Sequence, residues 1–268
     1  IIAYKTRNIH FIAFNYSSTH RYRELFQDYR FRRALLQAID RPAILKKIFN
    51  AGKQTGEKNI LSGQFPADFW EYDQQIKPLV YDLDAAAELL EEVLLRQGYS
   101  KNSNTGLWEK DTIALQLSLQ YFKGDKNIQE ACNEMSRDWK KIGIKVTSQG
   151  ISSAIENFDF VYKKYSFNNT MDIFNLFDIE HGQGNFEGFR DSGFMEFLYQ
   201  LHGTLNPREI QKICHQLHKT IHEKTVHLFL WQLDSYAAYN IALKNIKITN
   251  NKIKWSTAIH KHCEIEVD

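Results

Sequence analysis

One segment of the sequence, residues 113–148, restricts the fold more than any other. Hydrophobic residues alternate along residues 113–120, which predicts a half-buried strand. Apolar side chains then recur at intervals of three and four residues, which predicts a helix over 127–142. Gly143 ends this helix, and the strand-like run IKVTS follows at once. A strand, a helix and a second strand in this order predict an α/β architecture.

The rest of the chain fits a mixed sheet flanked by helices. Amphipathic patterns predict three more helices, over 28–39, 84–95 and 208–223, and a shorter one over 194–202. Asp84 is the expected N-cap of the helix over 84–95. Short apolar runs predict further strands at 9–15, 171–177, 227–232 and 239–243.

Composition and charge exclude several classes of protein. Among 268 residues, 34 Lys and Arg nearly balance 32 Asp and Glu, which gives no support for a nucleic-acid partner. An arginine-rich run at 21–33 overlaps the buried stripe of a predicted helix, so we expect Arg32 and Arg33 to pair with carboxylates such as Asp28 or Asp40. No apolar run is long enough to span a bilayer. The three cysteines are far apart and form no disulfide framework.

Three histidines, His215, His218 and His222, fall within one sector of the helix predicted over 208–223, a spacing that could hold a metal. Position 219 is Lys, however, where a zinc-protease motif has Glu. This sector lies roughly 110° from the apolar stripe, so we expect a solvated flank and no metal. No nucleophile elbow or phosphate-binding glycine loop occurs, so the sequence predicts no enzyme activity and no cofactor.

Residues 28–44 carry a motif typical of one family. The motif positions are Asp28, Arg30, Arg32, Ala34, Ala38, Ile39, Asp40 and Arg41. This run resembles a signature of the extracellular solute-binding proteins of peptide and nickel ABC transporters, the dipeptide and oligopeptide-binding type. Further similarities to that family follow in the family's order at residues 14–15, 81–90, 142–146, 171–173 and 227–232.

The resemblance implies an α/β fold with two lobes that close on a solute, of which this chain is one lobe with its hinge strands. It implies a hinge strand and loop (1–20), a C-terminal solute-binding lobe (21–235) and a return segment toward the hinge and first lobe (236–268). The chain lacks an initiating Met and reads as part of a longer protein.

The implied function is capture of a peptide-like or other small solute for an ABC importer. The implied partners are the solute, the permease subunits at the membrane and the first lobe of the same chain, with no nucleic acid. The implied location is periplasmic or extracellular, and the resemblance leaves open whether the protein is tethered to the membrane. The alternative is the ligand-sensing domain of a transcription regulator built on the same fold.

Loops at strand ends are expected to carry the solute contacts, since buried strands are committed to packing. The predicted contact residues are Asn15, Tyr16, Tyr121, Phe122, Asp178, His181 and Trp231. A carboxylate next to an apolar strand needs a partner, so Asp178 would receive a ligand cation or, alternatively, a local Lys, Arg or backbone N–H. The alternative for Tyr121, Phe122 and Trp231 is that they fill the core.

Overall fold

A mixed sheet of five strands lies at the centre of the computed structural model, which describes residues 2–49, 57–153, 158–177, 191–238, 240, 243–244, 247–249, 252–254 and 259–260. The strands are β1 (Ile2–Phe14), β2 (Ser100–Lys101), β3 (Trp108–Lys110), β4 (Ile113–Ala114), β5 (Gln116–Phe122), β6 (Lys145–Ile151), β7 (Phe160–Ser166), β8 (Leu228–Ala237), β9 (Leu243–Lys244), β10 (Lys247–Thr249), β11 (Lys252–Lys254) and β12 (Ile259–His260). The α-helices are α1 (Arg23–Gln27), α2 (Tyr29–Gln37), α3 (Arg41–Ile44), α4 (Leu83–Arg96), α5 (Lys126–Lys141), α6 (Asp172–Phe177), α7 (Ser192–Gly203) and α8 (Pro207–Lys224). A π-helical turn (Leu45–Phe49) follows α3, and a 3₁₀ turn (Glu57–Asn59) precedes the loop toward α4.

The strand order of the sheet is β6-β5-β7-β1-β8. β5 runs parallel to β6 and β7, whereas β1 is antiparallel to both of its neighbours, β7 and β8. The carboxyl ends of β5, β6, β7 and β8 therefore lie at the same edge as the amino end of β1. We call this the carboxyl edge of the sheet. The predicted class, a mixed α/β sheet flanked by helices, is confirmed.

The four longest predicted helices are all present, because each combines an apolar stripe with a side-chain cap. Asp28 caps α2 by accepting a hydrogen bond from the Arg30 N–H at 2.9 Å. Asp125 caps α5, which buries Met135 and Trp139 on one face. Asn206 caps α8, where Pro207 occupies the first turn, a position that needs no N–H donor.

Helix α4 starts one residue earlier than predicted, and its cap is Asp82 rather than Asp84. The Asp82 carboxylate accepts a hydrogen bond from the Ala85 N–H at 2.9 Å. Asp84 lies inside the first turn, where its negative charge interacts favourably with the positive end of the helix dipole. Two acidic residues two positions apart both fit a helix start, so the sequence pattern did not separate them.

The strand predicted at 171–177 is wrong, since these residues form helix α6. Ile173, Leu176 and Phe177 are buried, and their spacing of three and four residues is that of a helix face. The Asp172 carboxylate accepts backbone N–H groups of Asn168 and Asn169, which fixes the turn that starts the helix. An apolar run of seven residues does not distinguish a strand from a buried helix.

Other departures concern strand ends. The strand predicted from 113 divides into β4 and β5, after a turn in which Asp111 and Thr112 adopt positive φ angles of 51° and 64°. Strand β7 occupies a region without a clear pattern. The strand predicted at 239–243 falls largely outside the described residues. None of the described helices is long and apolar enough to cross a membrane.

Arg32 binds backbone carbonyls, where the sequence predicted a carboxylate partner. It is buried between α2 and the end of α8, and it donates hydrogen bonds to the carbonyls of Phe26, Lys224 and Thr225. Its neighbour in the motif, Arg30, is the residue that pairs with Asp28. The motif arginine therefore holds two distant segments of backbone together.

Candidate functional site

A cleft opens at the carboxyl edge of the sheet, beside the start of β1. Arg7 of β1 forms one side of it, residues 68–71 form a second, and residues 168–170, which follow β7, form a third. The cleft has a volume of about 390 Å³. Residues 68–71 belong to the irregular aromatic segment between the 3₁₀ turn and α4. The sequence patterns indicated no function for this segment.

Glu71 is the most unusual group in this cleft. Its side chain is 2% exposed, and Oε1 accepts a hydrogen bond from the Thr170 hydroxyl. The second oxygen, Oε2, is buried and makes no hydrogen bond to another residue in the part of the chain that the structure describes. Burial raises the pKa of the Glu71 carboxyl, partly offset by the Thr170 hydrogen bond and the charge of Arg7. The carboxylate would be stabilised by a donor or a cation brought by a ligand.

Arg7 is held on the opposite side of the cleft. Its Nη1 donates to the Asn168 carbonyl at 2.7 Å, and the guanidinium carbon lies 4.4 Å from the centre of the Phe69 ring. These contacts fix the position of the Arg7 guanidinium at the cleft. Trp70, between Phe69 and Glu71, is 47% exposed and supplies a flat apolar surface at the cleft. The cleft thus offers a carboxylate, a guanidinium and an indole ring.

His218 anchors the segment that carries residues 68–71, and the predicted solvated flank of α8 is wrong at this position. The ring is fully buried: Nδ1 accepts the Asp73 N–H at 3.1 Å, and Nε2 lies 3.0 Å from the Ser62 hydroxyl. Gly63 permits this contact, because a Cβ there would collide with the imidazole. A loop distant in sequence covers the helix flank, which the periodicity of α8 alone does not reveal.

Burial lowers the pKa of His218 to about 3, so the ring is neutral at physiological pH and keeps its acceptor for Asp73. His222 donates from Nδ1–H to the Ser62 carbonyl at 2.9 Å, which places it against the same loop. Among the described residues, no group of His, Cys, Asp and Glu side chains is arranged to hold a metal ion.

Two of the predicted contact residues lie toward the carboxyl edge. Tyr121 and Phe122 end β5, in register with Gly150 and Ile151 of β6. The Phe122 ring is 48% exposed, whereas Tyr121 is 6% exposed and mostly packed in the core. Phe122 is therefore the one of the pair that a ligand at this edge can contact.

Asn15 and Tyr16 lie at the opposite end of the sheet. They follow Phe14, which pairs with the first residue of β7. The Asn15 amide donates to the Phe158 carbonyl at 3.0 Å, and the buried Tyr16 hydroxyl donates to the Val226 carbonyl. The structure does not bring these residues together with Phe122 or the cleft.

Trp231 lies within β8 and is fully buried, with its ring centre 5.4 Å from that of Phe49. Asp178 and His181 lie outside the described residues, immediately after α6. The buried carboxylate of Asp159, which precedes β7, is held by His20 at 2.9 Å and by the Ser118 hydroxyl at 2.9 Å. Its oxygens are thus occupied by structural partners.

Sequence reasoning missed Arg7, Glu71 and Thr170. Arg7 and Thr170 lie near the pairing of β1 with β7, and the segment that carries Glu71 is held by His218 of α8, so the spacing of residues in the sequence does not indicate this site. One signal was available: the run Phe69, Trp70, Glu71 places aromatic rings and an acid in a segment without helix or strand periodicity.

Comparison with known proteins identifies relatives of this chain. Residues 2–187 match the sequence profile of the bacterial extracellular solute-binding proteins, family 5 Middle. The oligopeptide-binding protein AppA of Bacillus subtilis is 23% identical over 238 residues, which cover 84% of this chain and 42% of that protein. Heme-binding protein A of Haemophilus influenzae is 28% identical over 145 residues, covering 54% of this chain and 22% of that protein. The chain thus spans less than half the length of these relatives.

Solved structures show the same fold. The structure of NikA from Brucella suis in complex with Fe(III)-EDTA superposes with a TM-score of 0.79 at 16% identity, covering 97% of this chain and 52% of that one. AppA in complex with a nonapeptide gives a TM-score of 0.76 at 20% identity, covering 93% and 49%. Because the profile match extends over more than half of the chain, this protein belongs to the bacterial extracellular solute-binding proteins, family 5.

Proposed function

We propose that the chain is part of the substrate-binding component of an ABC importer, which captures a peptide-like or other small solute between two lobes and delivers it to a membrane permease. The observation that carries the proposal is the cleft at the carboxyl edge, with the unpaired Glu71 oxygen in its wall, in a chain of family 5. Open sheets of α/β proteins commonly bind ligands at this edge.

The pairing of β1 with β8 supports the view that this chain is one lobe. Residues 8–14 of β1 pair with β7, whereas residues 2–5 pair only with residues 234–237 of β8. Two antiparallel strands thus extend together beyond β7, as expected for strands that lead to a second lobe. We retain the division into a hinge strand and loop (1–20), a solute-binding lobe (21–235) and a return segment (236–268).

The proposed setting is extracellular or periplasmic, with the permease subunits and the other lobe as partners and no catalysis. The relatives described above are binding proteins of transport systems, which favours this role over a transcription regulator. Within the cleft, we propose that residues 68–71 shift so that the buried Glu71 carboxylate receives an amino group of the solute, while Trp70 covers the apolar part of the solute. Phe122, together with Asp178 and His181 after α6, completes the proposed contact surface.

Calorimetry on the full-length protein tests this function, with trialanine and N-acetyl-trialanine as probes and heme and nickel-histidine as further solutes. We expect trialanine to bind more tightly than its acetylated form. Glu71→Gln keeps the shape of the side chain and removes its charge, so it should weaken trialanine binding about tenfold or more. The control, Glu130→Gln, alters an exposed carboxylate of α5 and should leave the affinity unchanged.

The outcomes separate two parts of the proposal. If heme or nickel-histidine binds and no peptide does, the transport role stands and the peptide-like solute is wrong. If trialanine binds equally to the parent and to Glu71→Gln, the role assigned to Glu71 is wrong. Failure of every solute to bind a folded full-length protein would contradict the proposed function itself.

A further inference from the structure

The pairing between β1 and β8 is interrupted beside the cleft. Lys5 pairs with Asp234 and Ile9 with Gln232, so β1 advances four residues where β8 advances two. Such a bulge redirects side chains and weakens the ladder locally. Here it turns Arg7 into the cleft, and it separates the part of the strand pair within the sheet from residues 2–5 and 234–237.

Gln232 bridges this interruption with its side chain. The amide nitrogen donates to the Thr6 carbonyl at 2.5 Å and to the Asp68 carboxylate at 2.7 Å, while the amide oxygen accepts the Ala67 N–H at 2.8 Å. The Gln232 side chain is buried, with 4% exposure, so water does not readily replace its bond to the Thr6 carbonyl, whereas its bond to the exposed Asp68 is partly buried. One amide therefore connects the backbone of the bulge with the loop that continues into Phe69, Trp70 and Glu71.

A second contact links the same two segments. Arg7 leaves the bulge and stacks over the ring of Phe69 at 4.4 Å, only one residue beyond Asp68. Displacement of residues 68–71 by a solute would thus move the acceptor of Gln232 and the ring under Arg7 together. Gln232 and Arg7 both lie at the point where the β1–β8 pair would leave the sheet toward the other lobe.

We infer that Gln232 is a positioning residue that couples solute contact in the cleft to the geometry of the β1–β8 pair where it leaves the sheet. The inference rests on the proposed function, because a hinge has a role only if two lobes close on a solute. Gln232 does not touch the solute; it transmits the position of the loop at 67–71 to Thr6.

Hydrogen exchange measured by mass spectrometry on the solute-free full-length protein tests this coupling. The substitution is made on the cleft side, Asp68→Ala, and exchange is read on the hinge side, in peptides covering residues 2–9 and 230–237. We expect exchange there to accelerate about threefold or more, since a charge-assisted, partly buried hydrogen bond is lost. Gln232→Leu should accelerate exchange in the hinge peptides and in those covering 65–72.

Two variants serve as controls. Asp68→Asn retains an acceptor oxygen for Gln232, so hinge exchange should return to near the parent rate. Asp73→Ala removes a carboxylate of the same segment that bonds the Gln75 N–H and not Gln232, so hinge exchange should not change. If Asp68→Ala alters only peptides of its own loop while the thermal midpoint is unchanged, the coupling is absent. No solute enters this experiment, so its failure leaves the proposed transport function intact.

Discussion

At the scale of single residues, Arg41 shows why a charged group can belong in the core. Its side chain is fully buried and donates to the carbonyls of Leu61, Phe229 and Leu79, two of them at 3.1 and 3.0 Å. Burial lowers the pKa of Arg41 to about 10, which leaves it charged at neutral pH. Arg41 thus joins the start of α3, strand β8 and the loop before α4.

We predict that Arg41→Met destabilises the protein by about 3 kcal/mol or more, because three backbone carbonyls lose a charged donor in a buried position. The free energy of unfolding in urea measures this effect. Arg137→Met is the control, since Arg137 is 67% exposed and its ion pair with Glu134 contributes about 0.5 kcal/mol or less. Equal effects of the two substitutions would contradict the assigned role.

The residues of the cleft were less predictable than those of the core. The motif at 28–41 indicated the family because it lies in one continuous stretch, although the sequence did not show that Arg32 binds carbonyls. Glu71 gains its character from burial beside Thr170, and these two residues are 99 positions apart. Burial and the absence of a partner are properties of the assembled fold, so no pattern in the sequence contains them.

At the scale of secondary-structure elements, long helices were predicted correctly and a short helix was not. Helices α2, α4, α5 and α8 have several turns, so their apolar stripes repeat often enough to be recognised. Helix α6 has six residues and shows only one repeat, which an apolar strand would also satisfy. Strand β7 was missed because Lys163 and Lys164 interrupt its apolar side chains, although it lies in the interior of the sheet.

The start of α4 gives a test at this scale, because the sequence favoured Asp84 as the cap and the structure has Asp82. We predict that Asp82→Ala costs about 1 kcal/mol of stability, since the Ala85 N–H loses its acceptor. Asp84→Ala removes only a favourable charge near the helix dipole and should cost about 0.3 kcal/mol. Urea unfolding of both variants decides between them: a larger loss for Asp84→Ala would restore the sequence-based assignment.

For the whole molecule, buried neutral histidines make stability depend on pH. Burial lowers the pKa values of His10, His218 and His227 to about 3. Between a pKa of about 6.5 in the unfolded chain and about 3 in the folded one, the unfolded state binds more protons. Stability is therefore fully present above pH 6.5 and falls as the pH decreases, by about 1.4 kcal/mol per pH unit for each histidine.

Urea midpoints at pH 7.5, 6.5 and 5.5 measure this dependence, and we expect a steep decrease below pH 6.5. His218→Asn should reduce the proton uptake on unfolding by about one, while His202→Asn at an exposed position is the control. A stability that stays constant between pH 7.5 and 5 would show that these imidazoles are not buried in neutral form.

The position of β1 has a consequence for the order in which the chain can fold. Ile12 pairs on one side with Tyr162 and on the other with Leu228, so β1 obtains its neighbours only after these distant strands have been synthesised. Contacts so distant in sequence must close long loops before they contribute free energy, which slows folding. Strand β1, an interior strand of the sheet, therefore lacks its neighbours until nearly the whole lobe has been synthesised, and a nascent chain of this kind remains available to chaperones for that time.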